Sequence, residues 1–159
     1  MSRTMSKPVN KEEFWKYRLD ESERIQDSVY LTSDVDWNHI NRAHEEILKP
    51  FVDKKVLDAG CGYGRWSEFF SNYIGVDLSP DFIEKAKELY PDKEFLVGKL
   101  EKLPFKDNEF DLAFCVSVKV MIKNNLGEEV WNPIHKELKR VAKDVIYLEY
   151  TNPTEYENY

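Results

Sequence analysis

The chain is 159 residues long, enough for one domain around one core. A hydrophobic share of 42%, with 9 Phe, 9 Tyr and 4 Trp, excludes a disordered chain, and a formal charge of −7 disfavours general binding to phosphate backbones. Two cysteines make no disulfide framework, the opening MSRTMSKPVN holds no apolar leader and no stretch approaches a membrane span, so a soluble cytoplasmic protein is expected.

The pattern changes near residue 54. Before it, residues 1–53 read as a helical lid. Residues 10–28 form a charged helix with Phe14, Trp15, Tyr17 and Ile25. Over 36–49, Trp37, Ile40, His44, Ile47 and Leu48 share one face at helical spacing, with Asp34 or Asp36 as cap and Pro50 as terminator. After it, strands and helices alternate. Lys55–Asp58 is a strand, followed by a glycine turn at 60–64 and a helix through Phe70. Tyr73–Asp77 is the second strand. Ser79 then caps a helix with Pro80 at its first position and Phe82, Ile83, Ala86 and Leu89 on its buried face. Strands at Glu94–Val97 and Phe110–Ser117 come next. A helix over 133–142 follows, capped by Asn132 and burying Ile134, Leu138 and Val141, and Val145–Tyr150 is the last strand. This alternation predicts a three-layer α/β/α domain: a core over 54–150 with a mostly parallel sheet of about five strands, and a tail at 151–159. In such open sheets, ligands sit beyond the carboxyl ends of the strands.

Two of those ends carry acids. Asp58-Ala59-Gly60-Cys61-Gly62-Tyr63-Gly64 follows the first strand directly, and its glycines allow a tight turn close to a ligand. A helix start behind the turn would offer amide hydrogens to an anionic group. Asp77 ends the second strand, where a carboxylate can accept bonds from both hydroxyls of a ribose. A nucleoside cofactor across the first two strands satisfies both. Pyrophosphate binding asks for G-x-G-x-x-G, whereas the glycines here run G-x-G-x-G, and Asp58 would repel a diphosphate. A cofactor bearing an ammonium and a sulfonium suits that carboxylate better. The chemistry favours S-adenosylmethionine over NAD.

VLDAGCGYGRWSEFF (56–70) resembles the first motif of the class I methyltransferases, and IGVDLSPDFIEKAKE (74–88) resembles their second. FLVGKLEKLPFKDNEFDLAFCVSV (95–118) is similar to the stretch spanning their third and fourth. The resemblance covers about residues 54–150 and implies a Rossmann-like fold that binds S-adenosylmethionine. It assigns Asp58, Gly60 and Gly62 to the methionine end, with Cys61 among them, Asp77 to the ribose and Leu78 to the adenine face. It brings the backbone of Leu100 to the adenine edge and sets Cys115, Val116 and Ser117 beside the sulfonium. Two departures stand out. Lys99 occupies a position where relatives often carry an acid, so the contact to the adenine amino group is expected to be lost or to move, with Glu101 the candidate to take it. Met121 stands where many relatives have a histidine base.

Other features read as structure. Leu103-Pro104-Phe105 with Asp107-Asn108 stiffens and turns the loop into the fourth strand. Cys61 is a small loop residue and Cys115 a buried one. His39, His44 and His135 lack ligand spacing, so no metal is expected. Lys136, Lys139, Arg140 and Lys143 read as a solvated helix face. Asn152-Pro153-Thr154-Glu155-Tyr156 falls after the fifth strand, the wrong place for the Asn-Pro-Pro-Tyr motif of DNA amino-methyltransferases, and no Pro-Cys pair supports cytosine chemistry.

The resemblance implies in-line transfer of the S-methyl group to an O, N or S atom near Ser117–Met121 under the lid, with Glu149, Tyr150 or Lys119 as candidate bases. Arg18 or Arg42 is expected to pair with the methionine carboxylate, and a lid aromatic to pack near the sulfonium; the plainer alternative is that these aromatics only fasten the lid. A short, acidic domain points first to a small-molecule acceptor, with protein or RNA next. The other-class alternative is a non-catalytic S-adenosylmethionine-binding protein. Relatives continue past the fifth strand with a helix and a terminal hairpin for which Thr151–Tyr159 leaves no room. The strand-five edge is therefore expected to be covered by the tail or lid, or to form a homodimer.

Overall fold

The computed structural model describes residues 37–149. The anticipated helix over 10–28, the caps Asp34 and Asp36, Arg18 and the tail lie outside the described residues. Helix α1 (Trp37–Leu48) runs into a 3₁₀ turn at Lys49–Phe51, where Pro50 stands. Then follow β1 (Lys55–Ala59), β2 (Asn72–Asp77), α2 (Pro80–Leu89), β3 (Glu94–Val97), β4 (Phe110–Val116), α3 (Lys119–Leu126), α4 (Glu128–Val141) and β5 (Ala142–Leu148).

The strands form one sheet in the order β3-β2-β1-β4-β5, every pairing parallel, as the alternation of elements demands. Asp58 lies in register with Gly75 on one side and Phe114 on the other. The winding reverses between β1 and β4, which places the crevice of an open sheet between their carboxyl ends. One face of the sheet carries α3 and α4, packed through Ile122, Trp131, Ile134, Leu138 and Val141 onto Leu57, Ala113 and Cys115. The other carries Leu48 of α1, Ile83 and Ala86 of α2, and Phe70, on Val56, Leu112 and Phe114. Phe70, Phe82, Phe110 and Phe114 are fully buried, each contributing about 2–3 kcal/mol by leaving water.

Ser79 caps α2 as anticipated, its Oγ accepting the Phe82 amide at 3.3 Å. Leu89, expected in the core, is exposed; the helix ends there and Tyr90 packs inward instead. The glycine turn does not open an α-helix. Residues 65–71 must return the chain along a sheet whose next strand is about 20 Å long. At 1.5 Å per residue an α-helix would need about a dozen residues. The segment instead uses turns and a single 3₁₀ turn at Ser67–Phe69, which climbs faster per residue.

Two further corrections fall after β4. Helix α3 was not anticipated. The next helix starts at Glu128 rather than behind Asn132, so Pro133 sits inside α4. Gly127, at φ +96°, separates the two helices, and Glu128 and Glu129 complement the amide-rich start of α4. Helix α4 then passes from Val141 directly into β5 at Ala142, without a connecting residue and ahead of the expected Val145.

The basic run is only partly a solvated face. Lys136 and Lys139 are exposed, but Lys143 belongs to β5 and bonds Asp111 at 3.0 Å. Arg140 clamps the loop before β4: its guanidinium donates to Phe105 O (2.9 Å), Leu103 O (3.2 Å) and Asp107 Oδ1 (2.9 Å) and pairs with Glu137. Phe105 meets Phe110 edge-on at 4.8 Å, and Asn108 turns the chain at φ 52°, the structural role expected of this loop. No helix among the described residues is long and apolar enough to cross a membrane.

Candidate functional site

Two clefts open at the carboxyl end of the sheet and share Gly60. The first, about 340 Å³ including space open to solvent, is lined by Gly60, Asp77, Leu78, Leu100, Val118, Ile122 and Ile134. The second, about 280 Å³, is lined by Asp58, Gly60, Cys61, Tyr63, Arg65, Trp66 and Val116. The partition between them is backbone. Gly60 adopts φ +81°, its amide donates to Val76 O at 2.7 Å, and a Cβ there would stand 2.5 Å from Val118 Cγ2. Opposite it, Ser117 takes φ 58°, a left-handed conformation rare outside glycine, fixed by its amide bond to Leu148 O at 2.7 Å. That twist lets Val116 face one cleft and Val118 the other.

The glycine turn uses its amides internally. Those of Gly60 and Cys61 donate to Val76 O, that of Gly62 to Asp77 Oδ2 at 2.9 Å, and that of Gly64 to Cys61 O. Sequence reasoning offered this turn as an anion cradle. With these donors engaged, and with no α-helix behind them, it is a poor seat for a diphosphate. Asp77 accepts from Gly62 and, through Oδ1, from Ser79 at 2.9 Å, so it ties the turn to the start of α2. Burial raises its pKa against the lowering effect of those amides. With the Leu78 amide also contributing, the carboxylate keeps acceptor capacity for a hydroxyl at the first cleft.

Asp58 is buried and accepts the Tyr73 hydroxyl at Oδ2, 2.7 Å away. Burial pushes its carboxyl up to about 7, while the Tyr73 bond and the Arg65 charge pull it down. Arg65 lines the same cleft and stacks over Trp66, its guanidinium carbon 4.9 Å from the ring centroid. The second cleft thus holds one carboxylate and one guanidinium, complementary to an ammonium and a carboxylate on a single small group. His44, buried above Trp66 at 6.3 Å between ring centroids, is held neutral by burial and by Arg65, its pKa lowered to about 4. Beyond β5, Glu149 is buried, accepts the Val120 amide at 3.4 Å, and is raised by burial to about 7.

Of the residues singled out from sequence, the structure brings Asp58, Gly60, Cys61, Asp77, Leu78, Leu100 and Val116 to the two clefts. Gly62 and Ser117 support them from behind. Lys99, Glu101, Cys115 and Arg42 line neither cleft: Cys115 is fully buried in the sheet, and Lys99 and Arg42 are exposed. Arg65, Tyr73 and Trp66 went unnoticed, and Val118 was included only within the acceptor stretch Ser117–Met121. Arg65 had a usable signal, its place directly after the third glycine; Tyr73 had only its offset from Asp58 in a strand pairing. Among the candidate bases, Lys119 lies over the Tyr147 ring at 5.2 Å and Tyr150 is outside the described residues. No group of three or more potential metal ligands occurs among the described residues.

Comparison with known proteins gives this arrangement its family. An uncharacterized methyltransferase of Schizosaccharomyces pombe is 31% identical over 77% of this chain and 51% of its own length. A malonyl-[acyl-carrier protein] O-methyltransferase of Hamiltonella defensa is 35% identical over 42% of this chain and 30% of its own length. The chain therefore spans about half the length of such curated relatives, or less. Among solved structures, a protein of Pyrococcus horikoshii superposes with a TM-score of 0.57 at 29% identity, covering 79% of this chain and 66% of that one. The Haemonchus contortus phosphoethanolamine N-methyltransferase shares the fold, with a TM-score of 0.62 at 20% identity over 82% of this chain and 28% of that one. The model of the methyltransferase domain matches residues 57–145, and this chain belongs to that family.

Proposed function

We propose that this chain forms the cofactor-binding core of an S-adenosylmethionine-dependent methyltransferase acting on a small molecule. The observation that carries this reading is the pair of clefts joined at Gly60, one apolar with Asp77 at its rim, the other holding Asp58 and Arg65. A nucleoside fits the first: Leu78, Leu100 and Ile134 offer faces to a base, and Asp77 an acceptor to a ribose. An amino-acid end fits the second, with its ammonium to Asp58 and its carboxylate to Arg65. When bound, the cofactor supplies an electrophilic methyl group on sulfur. Gly60, Val116 and Val118 then hold the junction of the two halves, where an acceptor must arrive in line. Relatives named for phthiotriol dimycocerosates support a small acceptor, and one named for malonyl-[acyl-carrier protein] supports a small group borne on a carrier protein.

Calorimetric titration with S-adenosylhomocysteine tests the reading, with binding expected at pH 8. Absence of heat for it and for S-adenosylmethionine would overturn it; binding without turnover on any acceptor would favour the non-catalytic alternative. Arg65→Ala is expected to weaken S-adenosylhomocysteine binding about 10- to 50-fold, since a charge-assisted pair is lost. Methylthioadenosine, which lacks the amino-acid end, should bind this variant as it binds the parent. The exposed Arg42→Ala should leave both affinities alone.

A further inference from the structure

A tyrosine reaches the cofactor acid by lying along its neighbouring strand. Val56 pairs with Tyr73 and Asp58 with Gly75, so Tyr73 stands diagonally from Asp58, one pleat earlier on β2. Its ring leans over Gly75 to set the hydroxyl 2.7 Å from Asp58 Oδ2. Room for this exists only because residue 75 lacks a side chain: a Cβ there would lie 2.9 Å from the Tyr73 oxygen, from Cys61 Sγ and from Phe95. Phe70 stacks on the tyrosine ring at 6.3 Å and Phe95 meets it edge-on at 5.8 Å, so the ring has little freedom to turn away. Tyr73 is buried, and no water-facing role explains a hydroxyl at this depth.

We propose that Tyr73, given passage by Gly75, is a positioning residue that holds the Asp58 carboxylate aimed and ionised for the ammonium of the cofactor, and so sets the pH range over which the cofactor binds. The inference rests on the assignment of the second cleft to the cofactor's amino-acid end. Among the described residues, two charges act on Asp58. Arg65 from the turn favours its ionised form and Asp77 from the end of β2 opposes it. Cys61 from the turn and Cys115 from β4 both stay as neutral thiols, burial having pushed them well up. Tyr73 stays a neutral donor for the same reason. Asp58 thus changes charge near neutrality, and the tyrosine hydroxyl stabilises the form that binds a cation.

The experiment measures S-adenosylhomocysteine and methylthioadenosine affinities from about pH 5.5 to 8.5 for the parent, Tyr73→Phe and Asp58→Asn. In the parent, S-adenosylhomocysteine affinity relative to methylthioadenosine is expected to fall toward tenfold per pH unit below a midpoint near 7. Tyr73→Phe should move that midpoint up by about one unit, leaving binding about tenfold weaker at pH 6 and converging on the parent at high pH. Methylthioadenosine should give one profile for both proteins, and Asp58→Asn should erase the slope. Coincident profiles for parent and Tyr73→Phe, or a uniform loss at every pH, would overturn the role of Tyr73. A slope retained in Asp58→Asn would overturn it even if the phenylalanine variant failed to fold. A parent that binds neither ligand would instead refute the cofactor assignment itself.

Discussion

Asp58→Asn is expected to yield a protein that is more stable and nearly unable to hold the cofactor. The ionised carboxylate is the second cleft's partner for an ammonium, and a charge-assisted bond of this type contributes about 1.5–3 kcal/mol. S-adenosylhomocysteine affinity at pH 8 should therefore drop about 100-fold. Stability moves the other way. The carboxyl titrates near 3.8 in an unfolded chain and near 7 when folded. Between those values the folded protein keeps a proton that the unfolded chain has released, so stability falls as pH rises through that window and stays low above it. The loss amounts to at most about 4 kcal/mol. Asparagine does not ionise, although its buried amide offsets part of the gain. Thermal melts without ligand should show the variant about 2 kcal/mol more stable at pH 8 and level with the parent at pH 4. Equal cofactor affinity in the two proteins would remove Asp58 from the site.

Gly60→Ala is expected to destabilise the domain severely for a single added methyl group. A Cβ at this position would lie 2.5 Å from Val118 Cγ2, and the backbone holds φ +81°. Left-handed geometry costs an alanine about 1–2 kcal/mol, and forcing a methyl into packed surroundings adds about 1–3. The turn cannot swing aside, because the Gly60 and Cys61 amides both bond Val76 O. Together these predict a loss of about 3 kcal/mol and a fall in Tm of about 10 °C. Adding Val118→Ala should relieve the collision but not the backbone strain, recovering about half. Denaturant melts of the four proteins in the cycle measure this directly, and a Gly60→Ala variant within about 0.5 kcal/mol of the parent would contradict it.

The strands and the two acids at their ends were legible because both obey local rules. Apolar runs such as Val56-Leu57 and Ile74-Gly75-Val76 alternate with helical patterns at crossover spacing, and only parallel pairing satisfies that alternation. The stretch from 118 to 133 was not legible. Val120, Met121 and Ile122 look like a continuation of β4, and only the Ser117 twist, invisible in composition, turns them into α3. Pro133 followed by Ile134 imitates a helix start, yet two glutamates behind Gly127 begin the helix a turn and a half earlier. The site divides in the same way. Asp58 and Asp77 announce themselves by position in the chain, whereas Tyr73 matters through a diagonal strand contact and Arg65 through a turn that sequence reasoning drew as a helix. Arg42, favoured from sequence, is exposed on α1, because helical periodicity says which face is apolar and not where a cleft will open.

The junction at Val141 and Ala142 sets where this domain can tolerate changes in length. Since the helix hands over to the strand with no slack, one inserted residue there would invert the whole of β5. Tyr147, which packs against Trp131, would exchange sides with Leu148, which packs with Val56 and Phe114, and both layers would lose their outermost contact at once. Chain length is therefore rationed at that point.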